Sequence, residues 1–245
     1  MSLMSSRAQR RRAYPALVGL AVLAILGGLS GPSRAQVNDH QHHHPQPAAS
    51  APSAPTDHSG HGLDIGPAGS TYDLRWLDAM VQHHTGALRM SEFVFTIGQP
   101  GVGALARRIW SDQAQEIRAM GQWRKSWYPG APVYPVALKP NGDPNSMAGL
   151  TRMGPEQMAA MRMTGSSPTR ENRVTWFLEG MIAHHGGALV MAHDALQKST
   201  NPTIWRLARE IIVAQRGEII ALRRMLAHDG LHKPEYNRFD TLFSF

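Results

Sequence analysis

Met80-Val81-Gln82-His83-His84-Thr85-Gly86-Ala87-Leu88-Arg89-Met90 returns in the second half of the chain as Met181-Ile182-Ala183-His184-His185-Gly186-Gly187-Ala188-Leu189-Val190-Met191. Each copy brackets a pair of adjacent histidines with methionines at matched spacing. Imidazole and thioether are the neutral side-chain ligands suited to soft metal ions, copper above all. The chain has 13 histidines, 13 methionines and no cysteine, so soft-metal chemistry falls to these two side chains.

The repetition runs beyond the histidines. Leu105-Ala106-Arg107-Arg108-Ile109 matches Leu207-Ala208-Arg209-Glu210-Ile211, and Gln113-Ala114-Gln115-Glu116-Ile117 matches Gln215-Arg216-Gly217-Glu218-Ile219. Apolar spacing and breakers predict a first helix from about Ser70 to Gln99, opened by a capping box at Ser70-Thr71-Tyr72-Asp73. A second runs over about 102–127 and stops at Tyr128-Pro129-Gly130. A third covers roughly 168–199, with Ser167 as cap and Pro168 at the first helical position. A fourth follows Asn201-Pro202 to about 228. Each unit is a His-His helix followed by a Gln-x-x-Glu helix. One hairpin cannot bury its own apolar faces, whereas two together make an all-α four-helix bundle.

At about 100° per residue, Met80, His83, His84, Ala87 and Met90 share one stripe about 120° wide, inside the apolar face. Met181, His184, His185, Ala188 and Met191 do the same. On the partner helices Gln113 and Glu116 lie with Ile109 and Ile117, and Gln215 and Glu218 with Ile211 and Ile219. A carboxylate on an apolar face is costly unless paired. The expected pairing is Glu to histidine, which fixes the ring tautomer and leaves the other nitrogen for a metal. The metal ligands expected are therefore His83, His84, Met80, Met90, His184, His185, Met181 and Met191. Glu116, Glu218, Gln113 and Gln215 stand behind them.

Alternatives remain open. Buried histidines serve as satisfied core residues as well as ligands, and methionines at helical spacing are also ordinary core filler. The cluster Met147, Met153, Met158, Met161 and Met163 fits a short amphipathic helix on the bundle or a soft-metal lid. There is no His-Glu-x-x-His, no Glu-x-x-His pair of the di-iron bundles and no glycine-rich phosphate loop, which argues against a zinc protease, an iron oxidase and a nucleotide-binding enzyme.

The ends of the chain set the compartment. Arg7, Arg10, Arg11 and Arg12 precede an apolar run from Ala13 to Leu29, and Ser33-Arg34-Ala35 ends in small residues. This reads as a secretory signal over residues 1–35, an uncleaved anchor being the alternative, with no stable membrane span after cleavage. Five of the 25 basic side chains and none of the 18 acids lie in it, so the remainder carries a net of +2. That is no nucleic-acid footprint. Residues 36–69 read as a disordered Pro- and His-rich linker. Its His40, His42, His43, His44, His58 and His61 make it either a bland tether or a weak metal-collecting arm. The first hairpin then spans 70–128, the loop and Met-rich connector 129–167, the second hairpin 168–229 and an irregular tail 230–245.

With these motifs in place, the chain resembles the domain-of-unknown-function 305 family over roughly residues 70–228. The resemblance rests on Trp76-Leu77 through Met90, Phe177-Leu178 through Met191, Ile109 to Ile117, Ile211 to Ile219, and the connector's Met147-Ala148-Gly149 and Pro155-Glu156-Gln157-Met158. It implies a ferritin-like bundle, export to the bacterial periplasm, and copper binding linked to copper tolerance. It also implies a supporting acid before the aromatic of each repeat, which Asp73 supplies in the first and Val174 does not in the second. The expected function is binding and sequestration of copper, Cu(I) above Cu(II), or its handover to another copper-handling protein. A redox metalloenzyme, another transition metal, and a structural or interaction module without metal are the alternatives. The oligomeric state is not legible.

Overall fold

The computed structural model describes residues 63–98 and 101–245. The leader 1–35 and the histidines between His40 and His61 lie outside the described residues. Four long helices make the frame: α1 Tyr72–Glu92, α2 Val102–Trp127, α4 Arg173–Lys198 and α5 Pro202–His228. A short α3, Pro155–Arg162, and two three-residue strands, β1 Val136–Leu138 and β2 Leu150–Arg152, fill the connector. The molecule is an all-α bundle carrying one small hairpin.

The apolar stripes read from the sequence form the core. Trp76, Leu77, Met80, Ala87 and Met90 of α1 are buried with Ile109 and Met120 of α2, Phe177, Met181, Leu189 and Met191 of α4, and Ile211, Ile219 and Leu222 of α5. α1 pairs with α2, α4 with α5, and α1 with α4. α1 and α4 run antiparallel. Trp76 Nε1 near the start of α1 donates to the Met191 carbonyl near the end of α4 (2.9 Å), and His83 faces His184 midway.

Helix ends differ from expectation where tertiary contacts outbid local ones. The expected capping box is not formed: Thr71 is the N-cap of α1 without capping it, its hydroxyl donates to the Pro144 carbonyl, and Ser70 Oγ donates to Asn145 O. α4 begins at Arg173, five residues later than read; ahead of it a local turn has Asn172 Oδ1 accepting from Thr169 N. α5 begins where Asn201-Pro202 marks it: Asn201 accepts from Thr203 N and Pro202 opens the helix, while Gly230 (φ +77°), not singled out in the sequence, closes it with Leu231 N donating to Leu226 O.

The connector holds two short strands that the sequence pattern does not predict, and the helix that it does. β1 and β2 pair antiparallel, with Ala137 opposite Thr151. α3 is the short amphipathic helix, burying Met161 against the bundle. Residues 63–69, assigned by composition to the linker, pack on the frame: Ile65 is buried, Arg75 donates to the carbonyls of Ile65 and Pro67, and Lys198 Nζ to that of Gly66. The tail also packs, its Phe239 ring filling the space a side chain on Gly186 would need.

Candidate metal centre

Antiparallel packing of α1 on α4 brings the two histidine pairs to one level. Their rings form a row, His84, His83, His184, His185, with centroid separations of 6.3, 3.9 and 6.2 Å. All four are fully buried. The inner contact, His83 with His184, joins one hairpin to the other.

The nitrogens of the row are unequally used. His84 Nε2 lies 2.6 Å from Glu116 Oε2, and His185 Nε2 lies 2.7 Å from Glu218 Oε2, the latter without the alignment of a good hydrogen bond. A carboxylate only accepts, so in a neutral His84 ring the proton sits on Nε2 and the lone pair on Nδ1. His184 Nε2 donates to the His83 carbonyl at 3.0 Å, which again leaves a lone pair on Nδ1. His83 has no protein partner on either nitrogen, and the Nδ1 atoms of His84, His184 and His185 have none either. An unsatisfied buried polar atom costs about 1–3 kcal/mol.

Burial keeps the inner rings neutral. It holds the His83 imidazole well below its ordinary pKa, and the neighbouring His184, His84 and His185 add to the effect. His184 is lowered chiefly by burial and then by His185 and His84, with the carbonyls of His83 and Arg162 opposing. Neutral imidazoles present lone pairs, the form a metal ion requires.

The other expected residues take the following places. Met80, Met90, Met181 and Met191 are all buried. Met90 and Met191 stand two helical turns from the histidines, the Met90 methyl against Gly180 and the Met191 carbonyl on Trp76. Gln113 and Gln215 are buried, with both amide atoms of Gln113 and Oε1 of Gln215 unpartnered. Asp73 does not reach the row: it stands in the first turn of α1, ten residues and about 15 Å of helix away from His83. Its charge acts on Tyr128 and Tyr72 instead. Among the described residues no three His, Asp or Glu side chains are placed to hold one ion.

Sequence reasoning missed three features. Asp112, one turn before Glu116, is raised by burial and then by the charges of Glu218 and Glu116. Gly86 and Gly187, two residues after the second histidine of each pair, admit the end of α3: a Cβ on Gly86 would overlap the Arg162 carbonyl oxygen, and one on Gly187 would meet Met163 Sδ at 2.8 Å and His83 Nε2 at 3.0 Å. Arg162 is held there by Nε and Nη2 donating to Gln82 Oε1 at 3.0 and 2.6 Å. The matched glycines were visible in the repeat; what they admit was not.

Residues 73–226 match the family described as domain of unknown function (DUF305), more than half of the chain, and the chain belongs to that family. Among solved structures it is similar to CopM in the Cu(I)-bound form, with 25% identity over 64% of this chain and 96% of that one and a TM-score of 0.47. For CopM in the Ag-bound form by co-crystallization the values are 24%, 64%, 96% and 0.46. For a DUF305 fragment from Deinococcus radiodurans they are 27%, 66%, 99% and 0.46. No curated protein matches the chain.

Proposed function

We propose that this DUF305 protein is an exported metal-binding protein that sequesters copper, or hands it on, in the bacterial cell envelope, with His83 and His184 at the heart of its site. One observation supports this reading most: two neutral imidazoles from opposite hairpins meet at 3.9 Å in a fully buried place, with nitrogens that no protein group satisfies. A cation would take up those lone pairs.

The donor set favours copper. With no cysteine in the chain and no cluster of three His, Asp or Glu among the described residues, the closed four-ligand site of a structural zinc or the carboxylate cage of a di-iron centre has no support. Imidazole and thioether at low coordination number suit Cu(I). His84 and His185, oriented by Glu116 and Glu218, extend the row, and Met80 and Met181 lie one turn before the inner rings. Export rests on the leader sequence. Among the described residues no helix is long and apolar enough to cross a membrane.

The test is anaerobic titration of the metal-free protein with Cu(I), and separately with Cu(II) and Zn(II), beside a His83→Ala/His184→Ala variant. We expect the variant to bind fewer Cu(I) ions per chain at wild-type helix content. Equal stoichiometry would overturn the site. A purely structural histidine network predicts no rise in Tm with any metal.

A further inference from the structure

Met163 is the residue immediately after α3, and its backbone is unusual. It caps the helix in the left-handed region, φ 49° and ψ 32°, where a side chain other than glycine's or asparagine's is disfavoured by about 1–2 kcal/mol. Gly165, two residues on, takes the same region at φ +60° without that penalty. A strained non-glycine cap persists only where the surroundings over-determine it. Here they do. Arg162 is clamped to Gln82, Gln82 Nε2 donates to the Tyr134 hydroxyl at 3.2 Å, and the carbonyl of Arg162 is seated over Gly86.

The strained backbone delivers a sulfur to the histidine row. Met163 Sδ and His83 Nε2 crowd the same point above Gly187, at 2.8 and 3.0 Å from it, so the two atoms are no further apart than the sum of those distances. His83 Nε2 has no other partner. The gap is one that a rotamer change of an unbranched thioether closes around an ion. Met163 is half-buried whereas His83 is fully buried.

We propose that the Met163 thioether is a ligand of the His83/His184 site and sets its preference for a soft monovalent cation over Zn(II). This rests on the metal site proposed above. It assigns α3 a purpose: to carry one sulfur from the connector onto a pair of nitrogens drawn from the two hairpins. Glycine at both 86 and 187 is what lets it come so close.

The experiment measures Cu(I) and Zn(II) affinities of the full chain, wild type against Met163→Leu, which keeps volume and removes sulfur. Met163→Gly relieves the left-handed strain while also removing sulfur. Both variants should lose at least the roughly tenfold in Cu(I) affinity that even outer-sphere changes cost, with Zn(II) affinity unchanged. Silver should follow copper. Unchanged Cu(I) affinity in both variants, with His83→Ala/His184→Ala still losing the ion, would overturn the sulfur ligand and leave the histidine site standing. Equal losses for Cu(I) and Zn(II) would also overturn it, as the mark of a packing role. If the double histidine variant retains the ion as well, the failure belongs to the site itself.

Discussion

A single carbon atom on Gly86 would decide the position of α3. The Cβ of an alanine there would overlap a backbone oxygen, that of Arg162, and a carbonyl fixed at a helix end cannot step aside as a side-chain tip can. Alanine favours a helix interior by about 0.8–1.0 kcal/mol over glycine, but the displacement of packed backbone costs about 1–3 kcal/mol. Gly86→Ala should therefore lower stability on denaturant unfolding and, by lifting Met163 off the row, weaken Cu(I) binding. Gly217 is the control. It lies within α5, is exposed, and has nothing within 4 Å of a would-be Cβ, so Gly217→Ala should stabilise by roughly 0.5–1 kcal/mol. The same substitution with opposite signs separates helix propensity from tertiary admission. Equal effects would mean that α3 does not rest on Gly86. At this scale the sequence disclosed the histidines and the glutamates, each as an identity at a spacing. It did not disclose the division of labour within each pair, His84 and His185 taken by carboxylates and His83 and His184 left to face one another, because that depends on which side chain a neighbouring helix brings.

The four long helices were legible because each carries several turns of 3.6-residue periodicity, and Asn201-Pro202 marks where α5 begins. The connector was not legible for a physical reason. Strands of three residues carry too little pattern, and what holds them is remote. Asp78 of α1, fully buried, accepts from Arg124 Nε of α2 at 2.6 Å and from the Val136 backbone N–H of β1 at 2.8 Å. Arg124 also donates to the Val133 carbonyl. Burial raises the Asp78 pKa, with Arg124 and the Val136 N–H pulling it back down. Removing that carboxylate orphans a backbone donor and strips a cation of its counter-ion. We expect Asp78→Ala to cost roughly 2–4 kcal/mol, short of the full penalty for breaking a buried pair because Arg124 retains some water. The check is chemical denaturation together with proteolysis. Cleavage should move into residues 131–153 while α1 and α2 stay protected. Unaltered stability and no new cleavage would mean that the hairpin is held by apolar contacts of Leu74, Val136 and Leu150 alone.

Across the whole molecule the buried row ties stability to pH in a direction its chemistry fixes. His83 and His184 have folded-state pKa values held well below the ordinary one by burial, while in the unfolded chain they titrate near 6.5. Above that value neither state binds the proton and the full stability is present. As pH falls below about 6.5 the unfolded chain takes up protons that the folded core refuses. Stability drains at up to about 1.4 kcal/mol per pH unit for each ring, and the loss continues until the folded pKa is reached. The metal-free protein should therefore show a Tm that falls between pH 7 and pH 5, and a His83→Gln/His184→Gln variant should show a distinctly shallower fall. On the proposed site, copper would act on the same atoms. An ion bound to the folded form alone adds about 2.7 kcal/mol at a free concentration of one hundred times Kd, and because protons reach those lone pairs only near the low folded-state pKa values, that gain should persist while the metal-free protein loses stability and fail only when the folded rings themselves titrate. Differential scanning calorimetry at several pH values, with and without Cu(I), measures both slopes. A wild-type slope matched by the double variant would place the responsible protons elsewhere in the molecule. A copper-induced gain already lost around pH 6.5, where the folded inner rings are still neutral, would mean that the ion is not held by these imidazoles.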